Sequence, residues 1–139
     1  MIEIISGEKG KGKTKELLNK VNTSITSATG NIVYLDKSQK HMYEKNKIRL
    51  INVNDFLIDN CDEFLGFICG VISQDHDLEE MYLDSFLTIA SIDSDELLNH
   101  AIQKLDVISE KYNVKFILSV SKDESKLTDI AKAKIVISL

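Results

Sequence analysis

Residues Gly7-Glu8-Lys9-Gly10-Lys11-Gly12-Lys13-Thr14 constrain what this chain can fold into more than any other stretch. They fit the pattern G-x-x-x-x-G-K-[ST], between the apolar run Ile2-Glu3-Ile4-Ile5-Ser6 and a segment of helical periodicity. Glycines have no Cβ to block the turn, so successive backbone N–H groups can curl around a phosphate. The start of the following helix adds free N–H donors and a partial positive charge. In that geometry Lys13 reaches the β- and γ-phosphates of a nucleotide, and the Thr14 hydroxyl ligates Mg2+. The residues of such a site are Gly7, Glu8, Lys9, Gly10, Lys11, Gly12, Lys13, Thr14 and Lys15. The plain alternative is a Gly/Lys-rich surface turn.

A chain of 139 residues has room for one domain, spanning 1–139, with a real core and no large second module. It carries no N-terminal signal pattern and no long apolar stretch, so the expectation is a cytoplasmic protein without a membrane span. A net charge of −5 argues against a nucleic-acid-binding surface. The local cluster Lys9, Lys11, Lys13 and Lys15 is better explained by bound phosphate. Cys61 and Cys69, eight positions apart in an apolar segment, read as reduced core residues and not as a disulfide. Proline is absent, which leaves the turns to Gly, Asn, Asp and Ser. Arginine occurs once, at Arg49, which is poor stock for stabilising phosphoryl-transfer charge.

Short apolar runs alternate with longer amphipathic ones, the pattern of a mostly parallel sheet flanked by helices. Strands are expected at about 2–6, 32–36, 47–53, 80–84, 114–120 and 134–139, the third of them at an edge. A first helix at about 13–27 presents Leu17, Leu18, Val21 and Ile25 on one face and stops near Gly30. Residues 37–47 read as a polar, lysine-rich loop. Asn54 is expected to cap a second helix reaching about Ser73, with Phe56, Phe64, Phe67, Ile68, Val71 and Ile72 buried. Ser94 or Asp93 caps a third, with Leu97, Leu98, Ala101, Leu105 and Ile108 inward, and Asn113 ends it. A short helix follows at about 123–131. Ligands are expected at the carboxyl ends of the strands.

A phosphate loop needs an acidic partner for Mg2+ at the end of a buried strand. Asp36 and Asp84 both qualify. Asp84 is preferred, on a later strand expected beside the strand of the loop; each could also be a solvated strand-end residue.

The succession Gly7…Lys13-Thr14, Val33-Tyr34-Leu35-Asp36, Tyr82-Leu83-Asp84-Ser85 and Phe116-Ile117-Leu118-Ser119 resembles the RecA-like ATPase core over essentially the whole chain. It is also similar to a group of small clostridial P-loop proteins sometimes labelled as relatives of twitching-motility ATPases. The resemblance implies an α/β three-layer P-loop NTPase with five or six mostly parallel strands. It further implies ATP as ligand, Mg2+ held through Thr14 and Asp84, and Ser119 or Ser121 at the γ-phosphate sensor position. One departure weakens the implied activity. The catalytic glutamate of the family lies just past the strand that here reads Asp36-Lys37-Ser38, and the residue after Asp84 is Ser85. Without a carboxylate to orient water, hydrolysis should be slow, unless Asp36 substitutes beside Lys13.

Other phosphate-loop families fit less well. Ser121-Lys122-Asp123-Glu124 and Asp84-Ser85-Phe86-Leu87 supply neither the guanine motif nor the switch of GTPases. A single arginine cannot furnish a nucleoside monophosphate kinase lid, and Glu8 stands where partitioning ATPases carry a second lysine. Asp75-His76-Asp77 with Glu79-Glu80 reads as a solvated connection, and His41, His76 and His100 are too dispersed to pair as ligands. Three functions stay open. The first is a slow ATPase or nucleotide-dependent switch completed by a protein partner or a second copy of the chain, with Arg49 its one possible arginine finger. The second is a non-catalytic interaction module with an apolar patch or dimer seam near Lys37–Lys47. The third is a small-molecule kinase using Asp36.

Overall fold

The computed structural model describes residues 1–37 and 48–139. The expected loop and seam over 37–47 and the residue His41 therefore lie outside the described residues, except for Lys37. Among the described residues the apolar runs become six strands: β1 (Ile2–Ser6), β2 (Asn31–Asp36), β3 (Ile48–Asn52), β4 (Leu78–Leu83), β5 (Lys115–Val120) and β6 (Ile135–Ser138). The helices are α1 (Lys13–Ser27), α2 (Cys61–Ser73), α3 (Phe86–Ile89), α4 (Asp95–Tyr112) and α5 (Asp129–Lys132). The strands form one sheet in the order β3-β2-β4-β5-β1-β6, and every neighbouring pair is parallel. With helices on both faces, the inner strands are apolar on both sides, which is why they read as near-continuous runs.

Two cores result. One face of the sheet packs Ile4, Leu35, Met81, Leu83, Phe116 and Leu118 against Phe64, Phe86, Leu98, Ala101, Leu105 and Ala131 from α2 to α5. The opposite face packs Ile5, Ile32, Tyr34, Tyr82 and Ile117 against Leu17 and Val21 of α1. β3 is an edge strand, as its alternating pattern suggested.

Local chemistry sets the helix ends, and one of them differs from expectation. Ser94 Oγ accepts from Leu97 N at 3.1 Å, and Asn113 ends α4 in the left-handed region with φ 56°. Asn54, however, does not cap α2. Its N–H donates to Asn52 Oδ1 at 3.0 Å inside a 3-10 turn over Val53–Asp55, after which Phe56 is extended. Asn60 caps the helix instead, accepting from Glu63 N at 2.9 Å, while Glu63 Oε1 accepts from Asp59 N at 2.7 Å. That reciprocal pairing is close to a capping box and outcompetes an isolated Asn. Phe56 consequently lies outside the helix and is exposed, with its ring 5.0 Å from that of Phe67. Phe67 and Val71, expected to be buried, are partly buried at the edge of the same core. Cys61 is buried, but Cys69 is exposed, because the ~100° step per helical residue carries it past the stripe Cys61, Phe64, Leu65, Ile68 and Ile72. Both cysteines are free thiols. The helix expected over 123–131 is split into a 3-10 turn at Glu124–Lys126 and α5.

Candidate functional site

The loop of Gly7 to Gly12 leaves the carboxyl end of β1 in the interior of the sheet. Gly7 N donates to Lys122 O at 3.0 Å and to Val120 O at 3.3 Å, tying the loop to the end of β5. A Cβ at Gly7 would lie 3.0 Å from Leu139 Cβ, so the two chain segments approach closely there. Gly10 and Gly12 have φ of 86° and 97°, a region other residues rarely adopt. Gly12 also stands at the N-cap of α1 with no side chain capping the helix, which leaves its first-turn N–H groups facing the loop. Lys13 is buried and its Nζ donates to Glu8 O at 3.0 Å, folding back over the loop. Burial lowers the Lys13 ammonium below its ordinary value, and the Asp84 carboxylate opposes that shift.

Asp84 follows β4, and its position corrects the expected sheet order. β5 lies between β4 and β1, so the strand of the candidate metal carboxylate is not beside the strand of the loop. The side chain nevertheless reaches the loop. Thr14 Oγ1 lies 3.0 Å from Asp84 Oδ2 and 3.4 Å from Oδ1. Ser119 of β5 donates to Asp84 Oδ1 at 2.7 Å and accepts from Ser85 N at 2.8 Å. Ser85 is left-handed at φ 58°, so Ser119 also pins the bend that turns the chain away from the site. From β2, Tyr34 donates to Asp84 Oδ2 at 2.8 Å. Burial first, then the charge and hydrogen bond of Asp84 and the charge of Asp36, push the Tyr34 hydroxyl well above its ordinary value, so it stays a donor.

Asp36 ends β2 one strand further from the loop, buried, with its Oδ1 accepting from Lys37 N at 2.7 Å. Asp84 N donates to Leu35 O at 2.9 Å, which sets the ends of β2 and β4 side by side. The fold thus gathers Lys13, Thr14, Asp84 and Ser119, with Asp36 adjacent. Ser121 is exposed just past β5. Arg49 is exposed on β3, with β2, β4 and β5 between it and β1. Asp75 serves the turn before β4, accepting from Asn31 Nδ2 at 3.1 Å and Asp77 N at 3.0 Å. Among the described residues no group of three or more His, Cys, Asp and Glu is placed to cage a metal. One carboxylate with one hydroxyl suits a Mg2+ that takes its other ligands from phosphate and water.

No family model and no curated protein sequence matches this chain. Among solved structures, it is similar to a KaiC-like protein from the hyperthermophilic archaeon Pyrococcus horikoshii, with a TM-score of 0.58 at 15% identity. The match covers 94% of this chain and 64% of that one, so the chain spans under two thirds of its neighbour. The fold is RecA-like. The RecA-like core seen here is an all-parallel six-stranded sheet with helices on both faces. No helix among the described residues is long and apolar enough to cross a membrane.

Tyr34 is the site residue that sequence reading left without a role. Its signal was present: Tyr-Leu-Asp occurs twice, as Tyr34-Leu35-Asp36 at the end of β2 and as Tyr82-Leu83-Asp84, whose aspartate directly follows β4. The two runs pair in register, Tyr34 with Tyr82 and Leu35 with Leu83.

Proposed function

We propose that the chain binds Mg-ATP on residues 7–14 and works as a slow ATPase or nucleotide-dependent switch. The observation that carries this reading is the contact of Thr14 Oγ1 with Asp84 Oδ2 at 3.0 Å, across the mouth of a left-handed glycine loop. In this reading Thr14 and Asp84 hold Mg2+, which when bound offsets negative charge on the β- and γ-phosphates. Lys13 exchanges Glu8 O for phosphate oxygens, and the first-turn N–H groups of α1 receive the rest of the anion. Ser119 engages Asp84 and Ser85 N, a role in holding the carboxylate that it can combine with a sensor position. Asp36, buried at the end of β2, is the carboxylate assigned to orienting a water, and with no glutamate directly after it in the chain the hydrolytic step is slow. A partner protein or a second copy would supply the missing catalytic groups in a cytoplasmic setting.

Calorimetric titration of ATP and of GTP, with Mg2+, into the wild type and Lys13→Ala tests the reading. ATP binding that disappears in the variant is the expected result; unchanged affinity overturns it. The second reading, an interaction module that keeps the fold without turnover, is favoured by one observation. Leu57 is 95% exposed and Phe56 47% exposed, side by side in the connection before α2.

A further inference from the structure

Three hydroxyls converge on the Asp84 carboxylate. Thr14 and Tyr34 meet Oδ2 at 3.0 and 2.8 Å, and Ser119 meets Oδ1 at 2.7 Å. Thr14 belongs to the phosphate loop and Ser119 to the adjoining strand β5, whereas Tyr34 arrives from β2 on the other side of β4. We infer that Tyr34 is a positioning residue that fixes the Asp84 carboxylate for the Mg2+ of a bound nucleotide, an inference that rests on the Mg-ATP reading above.

The physical argument concerns rotation of one carboxylate. Ser119 reaches only Oδ1, and with Thr14 turned to a metal that single contact leaves the plane of the group free to tilt. Thr14 cannot be the second fixed point, because its hydroxyl oxygen is the one a metal would draw on. Tyr34 has no such competing duty. Its hydroxyl is buried against Oδ2, and its ring is held independently by stacking on Tyr82, with centroids 6.0 Å apart and planes 12° from parallel. Groups of this outer kind orient the direct ligands, and their loss commonly weakens metal affinity by about 10- to 100-fold. The molecule also carries its own control. Tyr82 has the same ring in the same stack, but its hydroxyl points away from the site, 2.8 Å from Glu80 Oε1 and 3.3 Å from Ser24 Oγ.

The test is the ratio of ATP affinity in excess Mg2+ to that in EDTA, measured by calorimetry on the wild type, Tyr34→Phe, Tyr82→Phe and Asp84→Asn. Tyr34→Phe keeps the stacked ring and removes only the donor. It should lower the ratio about tenfold while leaving binding in EDTA unchanged. Tyr82→Phe should keep the wild-type ratio. Adding Tyr34→Phe to Asp84→Asn should change nothing further, since the tyrosine acts through that carboxylate. A wild-type ratio in Tyr34→Phe overturns the inference while leaving the Mg-ATP reading intact. So does an equal loss with and without Mg2+ accompanied by a lowered melting temperature, which marks a merely structural role. Failure of the wild type to bind ATP under either condition overturns the Mg-ATP reading itself and the inference with it.

Discussion

The tripeptide Tyr-Leu-Asp occurs at the end of β2 and again across the end of β4, with Tyr34 paired to Tyr82 and Leu35 to Leu83, yet the two aspartates have different surroundings. Asp84 receives hydroxyls from Thr14, Tyr34 and Ser119. Asp36 turns back on its own chain and takes Lys37 N. The two tyrosines diverge as well: Tyr34 aims at the carboxyl ends of the strands, Tyr82 at Glu80 in the opposite direction. Position in the sheet explains the difference. β4 has β5 beside it, which brings Ser119 and the nearby glycine loop, whereas the outer neighbour of β2 is the edge strand β3. Identical side chains thus become a fixed carboxylate in one place and a turn-capping one in the other, according to which strand stands next door.

The largest expected effect separates the two aspartates directly. Asp84→Asn should erase most of the advantage that Mg2+ gives to ATP binding, a loss exceeding the roughly tenfold expected of Tyr34→Phe, because it alters a direct ligand and not a group that orients one. Asp36→Asn should leave that advantage within about twofold and act instead on whatever slow turnover is present. Equal losses in calorimetric titrations of the two variants would dissolve the asymmetry. A smaller effect is expected at Ser119, whose hydroxyl bridges Asp84 Oδ1 and Ser85 N in a fully buried setting. Ser119→Ala should cost about 1–3 kcal/mol in urea unfolding, because Ser85 N and one carboxylate oxygen lose their partner. A variant as stable as the wild type would show that the end of β4 is not held from β5.

The smallest effect is a pH dependence shared by the two tyrosines. Both hydroxyls lie well above their ordinary value of 10.0, through burial first in each case. Above that pH the unfolded chain releases tyrosine protons that the folded chain keeps. The folded state then binds more protons, so stability falls as pH rises. Urea midpoints measured from about pH 9 to about pH 11 should decline in the wild type and less steeply in Tyr34→Phe. Parallel declines would mean that Tyr34 titrates as an ordinary tyrosine.

Much of this was legible because its determinants are local. The glycine pattern 7–14 specified a strand, a tight loop and a helix; Ser94 and Asn113 marked both ends of α4; and the alternation of β3 marked an edge. The onset of α2 was misread because two asparagines competed for it, and the decisive Glu63 lies beyond both. Cys69 was misplaced because a helix that is apolar over most of its surface does not announce which side faces the core.

The sequence by itself determined the glycine loop that carries Lys13 and Thr14, the strand–helix alternation and the two candidate strand-end aspartates, each written within a few consecutive residues. Only the tertiary structure brought Asp84 against Thr14 and set Tyr34 and Ser119 on the same carboxylate. The fold joins residues 35 to 70 positions apart, Ser119 and Tyr34 to Asp84 through strand order and Thr14 to Asp84 through the placement of α1, and no local run encodes either. The hydroxyls that fix a carboxylate here are neighbours in the sheet and strangers along the chain.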